Sequence, residues 1–253
     1  MSVQEMEFAE TTVAERVAAV RAEIARACER AGRSVDEVTL VAVSKTHAPP
    51  LIVEAIRAGV RDLGENRPEE AAPKMQAVAA LTPGPVCWHM IGHVQSRKAR
   101  LVTRGYTLLH SLDSVRLAER LARYLDAQGQ TLDVLLQMNV SGEATKEGFD
   151  AYQWNKRPTQ RATLWRDVEA ILALPALRVR GLMTMAPLTD DPEMARPVFA
   201  ALRDLRDALR EDFPGADWSA LSMGMTDDYP VAIEEGATLV RIGRAIFGER
   251  HTG

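Results

Sequence analysis

The chain alternates short apolar runs with amphipathic helical patterns along most of its length, and this alternation limits its possible folds more than any other feature. The apolar runs lie at 38–43, 60–63, 86–91, 107–109, 132–138, 177–183, 218–221 and 238–242. Helical patterns lie between them at 49–58, 68–80, 96–102, 114–127, 161–174, 192–212 and 228–235. Strict alternation of this kind is typical of a parallel sheet, and eight strand–helix units are the number that closes a barrel.

The sequence therefore predicts an α/β protein with one (β/α)8 TIM-type barrel and an extra N-terminal helix. Eight units need about 250 residues, so the 253 residues are expected to form a single domain, 1–253. The run at 132–138 is apolar at nearly every position, as expected for a strand that is covered on both faces. The extra helix is predicted at 12–31, and its apolar face carries Val13, Val17, Val20, Ile24 and Cys28.

Charge and composition argue against two classes of partner. The formal net charge is -4 and no basic face stands out, so neither nucleic acid nor an anionic membrane is expected as a partner. The acidic first residues lack the pattern of a secretion signal, and the apolar runs are too short to span a bilayer. Two cysteines fit buried thiols in a reducing compartment. The expected location is the cytoplasm.

Lys45 is the first candidate for chemistry, because active sites of such barrels are built from loops at the carboxyl ends of the strands. It follows the first apolar run and has the side-chain parity of Val41 and Val43. If that face lines the barrel, the amine is enclosed. A desolvated lysine near another cation supplies the neutral amine that attacks an aldehyde. A solvated lysine that simply closes a strand is the more common alternative, and spacing alone leaves both open.

The loops after the last two strands predict a phosphate site. Barrels often bind phosphate there, beside the N-terminus of a short helix. Gly224 and Gly243 allow backbone N–H groups to approach an anion, and Ser222 can donate a hydroxyl. Arg241 lies in the last apolar run, where a charged side chain needs a partner. That partner is either a neighbouring acid or an acceptor on a ligand.

Two other clusters have simpler interpretations. His89 and His93 have a spacing that suits a metal pair on a helix, whereas this segment is predicted as a strand that ends at Gly92. No metal site is therefore expected. Asp227 and Asp228 precede a helical pattern and are interpreted as its N-terminal cap.

Taken together, the motifs resemble one family along nearly the whole chain, the pyridoxal phosphate homeostasis proteins, which are related to the N-terminal barrel of alanine racemase. The motifs are VSKT, GENR, WHMIGHVQSRK, HSLDS, MNVSGEATKEGF, GLMTMAP, SMGMTDD and VRIGRAIFG, in this order. The resemblance implies that pyridoxal 5′-phosphate (PLP) is the cofactor and that Lys45 forms its Schiff base.

The same resemblance implies the other cofactor-binding residues. Asn66 lies beside the cofactor, Arg241 faces its pyridine nitrogen, and Met225 belongs to the same set. Ser222, Gly243 and Arg244 hold the phosphate. Arg244 stands where the family usually has a small hydroxyl residue. Whether it contacts phosphate through its side chain or only through its backbone stays open.

The favoured function is a binding protein that stores, buffers or delivers PLP without efficient catalysis. An arginine keeps its proton, so Arg241 would leave the pyridine nitrogen unprotonated and weaken the ring as an electron sink. A second domain that could supply a second base is not expected. Weak amino-acid racemisation is the alternative function, and a cofactor-free Schiff-base aldolase is a third hypothesis. PLP-dependent apoenzymes are candidate recipients, and the protein is expected to be a monomer or a weak dimer.

Overall fold

Eight parallel strands form a closed barrel in the computed structural model, which describes residues 11–82, 84–143 and 145–248. Around the ring, each strand pairs with the next in the order β1, β2, β3, β4, β5, β7, β8 and β9, and β9 pairs back onto β1. The two-residue strand β6 (Phe149–Asp150) adds to the carboxyl end of β5. The ring consists of β1 (Thr39–Val43), β2 (Asp62–Glu65), β3 (Cys87–Met90), β4 (Leu108–Leu112), β5 (Leu132–Asn139), β7 (Leu177–Met183), β8 (Ala220–Ser222) and β9 (Leu239–Ile242).

Helices cover the outside of this ring, so the predicted barrel with an extra N-terminal helix is confirmed. None of the described helices is long and apolar enough to cross a membrane. The α-helices are α1 (Val13–Arg30), α2 (Pro49–Arg57), α3 (Pro68–Leu81), α4 (Ala99–Val102), α5 (Val115–Asp126), α6 (Pro158–Leu172), α7 (Arg196–Asp212), α8 (Tyr229–Glu234) and α9 (Arg244–Phe247). Short 3-10 helices at Val35–Glu37, Ser96–Lys98 and Pro192–Ala195 complete the list of described helices.

The described residues of the segment 142–158 contact the loops after β7 and β3 at the barrel mouth. Lys146 Nζ lies 2.8 Å from the carbonyl oxygen of Met185, which follows β7. Glu147 Oε2 lies 3.1 Å from Nδ1 of His93, which follows β3. The segment also contains β6, which the sequence pattern did not reveal because two residues are too few to show a period.

The two faces of the barrel wall differ in chemistry. Outward-facing residues such as Ala42, Leu63 and Met90 belong to the hydrophobic core that the strands share with the helices. The alternate residues point inward, and they include polar side chains that are almost fully buried. His89, His110, Ser222 and Arg241 are the main examples.

The N-terminal helix α1 seals the seam between the first and last units of the barrel. Its arginines donate to carbonyl oxygens at the C-terminal ends of other helices, which lack partners within those helices. Arg16 Nε lies 2.8 Å from Ile246 O of α9, and Arg21 Nη2 lies 2.8 Å from Gly59 O after α2. Just beyond α1, Arg33 Nη1 lies 2.8 Å from Ile233 O of α8. The helix therefore joins the helical layer where β9 meets β1.

Gly181 provides a test of how tightly the wall is packed. Its φ is +146°, and an added Cβ would lie 1.9 Å from the carbonyl oxygen of Ala220 on β8. We expect Gly181→Ala to force β7 and β8 apart and to lower the free energy of unfolding by about 3 kcal/mol or more. Gly215→Ala is the control, since a Cβ there meets nothing within 4 Å. Urea denaturation of both variants measures the difference, and equal stability would contradict this packing.

Candidate functional site

Four adjoining strands, β2, β1, β9 and β8, bring the predicted site residues together at one end of the barrel. Val41 of β1 pairs with Arg241 of β9, and Val43 pairs with Gly64 of β2. The strand ends that follow therefore place the loops of Lys45, Asn66 and Gly243 side by side. Ser222, at the end of β8, comes next to β9. Residues about two hundred positions apart in the sequence share one edge because the barrel closes between β9 and β1.

Lys45 lies in a tight turn directly after β1. His47 N–H donates to the Ser44 carbonyl at 3.2 Å, which closes the turn. Thr46 has a φ of +67°, a left-handed conformation that is unusual for a β-branched residue. Strained backbone of this kind persists where the surrounding structure holds it in place. Lys45 itself is half-buried.

Contacts on both sides hold this turn. Toward α9, the rings of His47 and Phe247 stack with centroids 4.8 Å apart. Toward β2, Ser44 Oγ donates to Glu65 Oε1 at 2.6 Å. Lys74 Nζ lies 2.8 Å from the same carboxylate oxygen and 3.0 Å from the Ser44 carbonyl. Lys45 is thus presented from a turn that is fixed between the Asn66 loop and α9.

Glu65 and Lys74 were not among the site residues predicted from the sequence. Glu65 is 1% exposed, and its carboxylate is paired and hydrogen-bonded, as a buried charge must be. A charged residue at the end of an apolar run was the only signal available, and its partner Lys74 lies on the next helix. Lys74 is thus engaged with the Glu65 carboxylate and with the backbone of the turn that carries Lys45.

Asn66 is half-buried and follows β2, as predicted. Its position depends on Gly92 at the end of β3. A Cβ on Gly92 would lie 2.3 Å from the Asn66 carbonyl oxygen and 2.7 Å from its Cα. Only glycine allows the two loops to approach this closely. Gly92 is held in turn by Ser111 Oγ, which donates to its carbonyl at 2.6 Å.

Arg241 is 4% exposed and points into the barrel from β9. Its Nη2 donates to the Thr184 carbonyl at 2.9 Å, and its Nη1 donates to the hydroxyl of Ser222. Burial lowers its pKa to about 10, and the nearby carboxylate of Asp228 opposes that shift. An arginine with this pKa still carries its proton at neutral pH.

Ser222 is fully buried, and its hydroxyl has a second partner within the barrel. Its Oγ lies 2.8 Å from His110 Nδ1. Burial lowers the pKa of His110 well below its ordinary value, and His89 and Arg241 add to the effect. His110 is therefore a neutral imidazole. This histidine was not among the site residues predicted from the sequence.

The two glycines of the predicted phosphate loops differ in their roles. Gly224 has a φ of +92°, and a Cβ there would lie 2.6 Å from the Ala232 side chain of α8, so packing requires this glycine. At Gly243 an added Cβ would meet Val43 at an ordinary 3.5 Å. The chain's own packing does not require a glycine at 243. Gly243 is also the N-cap residue of α9, whose first N–H groups lack acceptors within the helix.

Charged groups tie these loops together. Arg244 and Asp227 are both exposed and form an ion pair between the loop after β9 and the loop after β8. Asp228 Oδ1 accepts from the backbone N–H of Met225 at 2.6 Å. Burial raises the pKa of Asp228, and the Met225 N–H and Arg241 act in the opposite direction. Asp228 is the N-cap residue of α8, as expected, although its side chain closes the preceding loop rather than the helix.

His89 and His93 lie apart, as their placement on a strand implied, but His93 has acidic neighbours that the sequence did not reveal. His93 Nδ1 lies 2.8 Å from Asp113 Oδ2 and 3.1 Å from Glu147 Oε2. These three groups could each offer a metal ligand. Nδ1 of His93 thus contacts a carboxylate oxygen of each of the two acids.

Comparisons with known proteins agree with this fold and this arrangement of motifs. A family model described as "Alanine racemase, N-terminal domain" matches residues 16–251. A "Pyridoxal phosphate homeostasis protein" of Aquifex aeolicus is 41% identical over 93% of this chain and 97% of its own. A protein of the same name in Pseudomonas aeruginosa is 42% identical over 96% of this chain and 98% of its own.

Solved structures show the same fold. The structure of PipY of Synechococcus elongatus with PLP bound has a TM-score of 0.78 and 34% identity, covering 94% of this chain and 100% of PipY. An alanine racemase of Clostridium difficile has a TM-score of 0.68 at 13% identity, with 94% of this chain covering 58% of that enzyme. The barrel is thus of the alanine racemase N-terminal type. The chain belongs to this family and, within it, to the pyridoxal phosphate homeostasis proteins.

The buried neutral His110 predicts a pH dependence of stability. Its folded pKa lies below its ordinary value of 6.5, so the unfolded chain binds one more proton in the interval between them. Stability should be fully present above about pH 6.5 and should fall as the pH falls below that value. Each such group contributes at most about 1.4 kcal/mol per pH unit. We expect His110→Gln to make the decline less steep, measured by urea denaturation from pH 7.5 to 5. An unchanged slope would mean that His110 is not buried as a neutral group.

Proposed function

We propose that the protein binds PLP through a Schiff base with Lys45 and acts in PLP homeostasis by storing, buffering or delivering the cofactor. The carrying observation is that Lys45, Asn66, Arg241 and Gly243 meet at the carboxyl ends of adjoining strands. The names of relatives about 40% identical and the PLP-bound PipY structure support the same ligand.

The donor set fits the three parts of this ligand. An aldehyde needs a nearby amine, which the clamped turn of Lys45 offers. A ring nitrogen needs a partner, and the buried guanidinium of Arg241 is a permanent donor. A phosphate needs N–H groups, and the start of α9 offers those of Arg244 and Ala245 above the space left by Gly243. Asn66 and Met225 border the same edge, on the loops after β2 and β8.

Two features of the phosphate seat refine the residue roles. The side chain of Arg244 is paired with Asp227, so we assign its phosphate contact to the backbone N–H and the ion pair to holding the two loops together. The Ser222 hydroxyl is bound to His110 and Arg241, so it reaches a phosphate only by turning its proton away from His110. Both residues stay in the proposed cofactor-binding set.

Arg241 favours a binding role over catalysis. PLP, when bound, supplies an electron sink for reactions of amino acids. An arginine that keeps its proton does not protonate the ring nitrogen, which weakens that sink. Arg241 is held in place by Thr184 and Ser222 and carries its proton at neutral pH. Weak amino-acid racemisation is the alternative, and α-deuterium exchange of alanine by the PLP-loaded protein would reveal it. PLP-dependent apoenzymes as recipients, a cytoplasmic location and a monomer or weak dimer belong to the same proposal.

Lys45→Ala tests the Schiff base. Wild-type protein mixed with PLP should show the visible absorbance band of a Schiff base. Borohydride reduction should then attach a pyridoxyl group covalently to the peptide that contains Lys45. Lys45→Ala should lose both signals and keep its fold by circular dichroism. Lys98→Ala is the control, since Lys98 lies outside the proposed site and pairs with Glu69. A label on Lys74 or Lys146 in the wild type would overturn the assignment.

Gly243→Ala tests the phosphate seat separately from the amine. The Cβ would meet Val43 at 3.5 Å, so folding stability should be nearly unchanged. The same methyl group would enter the space beside the first N–H groups of α9. We therefore expect PLP affinity to fall about tenfold, the loss of roughly one charge-assisted hydrogen bond, while pyridoxal affinity stays the same. Fluorescence titration with both ligands measures this. Equal losses for the two ligands would place the phosphate elsewhere.

A further inference from the structure

A line of hydrogen-bonded side chains crosses the barrel interior from the amino-terminal end of β2 to the candidate site. Asp62 Oδ1 lies 3.0 Å from His89 Nε2, and His89 Nδ1 lies 2.8 Å from His110 Nε2. His110 Nδ1 lies 2.8 Å from Ser222 Oγ, which also accepts from Arg241 Nη1. The line uses five strands, namely β2, β3, β4, β8 and β9. The proposed function does not assign roles to Asp62, His89 or His110.

The two ends of the line determine the direction of its protons. The Asp62 carboxylate is an acceptor, so His89 Nε2 carries a proton and donates to it. With both imidazoles neutral, His89 Nδ1 accepts from His110 Nε2–H, and His110 Nδ1 then accepts from the Ser222 hydroxyl. One lone pair of the Ser222 oxygen accepts from the Arg241 N–H. Every group in the line is satisfied, and the Ser222 proton points inward.

A single added proton reverses the middle of the line without breaking any contact. The Nε2 proton of His110 moves to Nδ1 of His89, and the Ser222 proton moves to Nδ1 of His110. A proton from solvent then replaces the one that left Ser222. His89 becomes an imidazolium beside the Asp62 carboxylate, and His110 stays neutral in its other tautomer. Ser222 now accepts from His110 and Arg241, and its own proton is free to turn outward.

We propose that Asp62, His89 and His110 are positioning residues for the Ser222 hydroxyl, and that binding of a phosphate-bearing ligand takes up one proton into this line. The inference rests on the proposed function, in which the phosphate lies at the carboxyl ends of β8 and β9. The phosphate anion favours the outward hydroxyl because a donor then faces a charged acceptor. The line supplies that donor while Arg241 keeps its contact with Ser222.

The groups around the line favour His89 over His110 as the residue that carries the added proton. Burial lowers the pKa of His110 well below its ordinary value, with His89 and Arg241 as further causes, so the proton does not stay on His110. His89 Nε2 lies 3.0 Å from a carboxylate oxygen of Asp62, an acceptor for the N–H at that position. Cys87 pairs in register with Asp62. Burial raises the pKa of the Cys87 thiol, and the negative charge of Asp62 raises it further. At the other end, Asp228 from the loop before α8 acts on Arg241.

The tautomers of the two histidines test the proton order directly. In 15N-histidine-labelled wild-type protein at pH 7.5, long-range 1H–15N spectra should show His89 and His110 protonated at Nε2 and bare at Nδ1. Saturation with PLP should move the His110 proton to Nδ1 and protonate both nitrogens of His89. His110 protonated at Nδ1 without ligand, or unchanged by PLP, would overturn the proposal. The spectra without ligand decide the proton order by themselves, whether or not PLP binds. If PLP does not bind, the proposed function and the phosphate step are both overturned.

Proton uptake on binding tests the phosphate step. Titration calorimetry of PLP in buffers of different ionisation enthalpy, near pH 7.5, gives the protons taken up per PLP. We expect His89→Gln to take up about one proton fewer than wild type and to bind PLP about tenfold more weakly, with pyridoxal affinity unchanged. His93→Gln is the matched control, four residues along the chain and outside the line, and should behave as wild type. A His89→Gln variant that binds PLP with wild-type proton uptake contradicts the proposal.

Discussion

The guanidinium of Arg241 is the charge around which the interior of this barrel is arranged. A permanent cation that is 4% exposed requires acceptors, and the structure provides them from three directions. Thr184 offers a carbonyl, Ser222 a hydroxyl, and Asp228 a carboxylate nearby. Since Ser222 then needs a partner of its own, two further strands contribute histidines. The inner face of the wall is therefore partly a polar network, and the hydrophobic core lies between the wall and the helices.

Rigidity of the Lys45 turn is the second element on which the proposed chemistry depends. A long lysine side chain loses considerable rotamer freedom when it binds covalently. Because the backbone of the turn is already fixed, the conformational entropy lost on binding is smaller. The Ser44–Glu65–Lys74 contacts hold the turn on one side, and the stacking of His47 on Phe247 holds it on the other. The second contact joins this turn to α9. The turn of Lys45 and the start of α9, the proposed amine and phosphate sites, are thus connected through protein contacts.

The glycines around the mouth show why a motif alone does not reveal a role. Gly92 and Gly224 are required by packing, because an added methyl group would overlap Asn66 or α8. Gly243 leaves space that the chain itself does not fill. All three follow strands and look alike in the sequence. Only the neighbours that each Cβ would meet separate a glycine that allows close packing from one whose Cβ the structure could accommodate.

The sequence by itself determined the barrel and supplied the candidate residues of the proposed site. Hydrophobic periodicity is a local property, so the eight strands and the N-terminal helix were readable from the chain, with boundaries shifted by a few residues. The parity of Lys45 and Arg241 and the motif order identified the candidate residues in the same way.

The tertiary structure alone decided which side chains share hydrogen bonds. The partners of Arg241, Glu65 and His93 come from other strands, helices or loops. These partners are distant in the sequence, so no local pattern predicts the contacts. His89 shows the limit most clearly, since its spacing to His93 suggested a comparison within one segment, whereas its actual partners are Asp62 and His110 across the barrel wall. Barrel closure brings such residues together, and closure is a property of the whole chain.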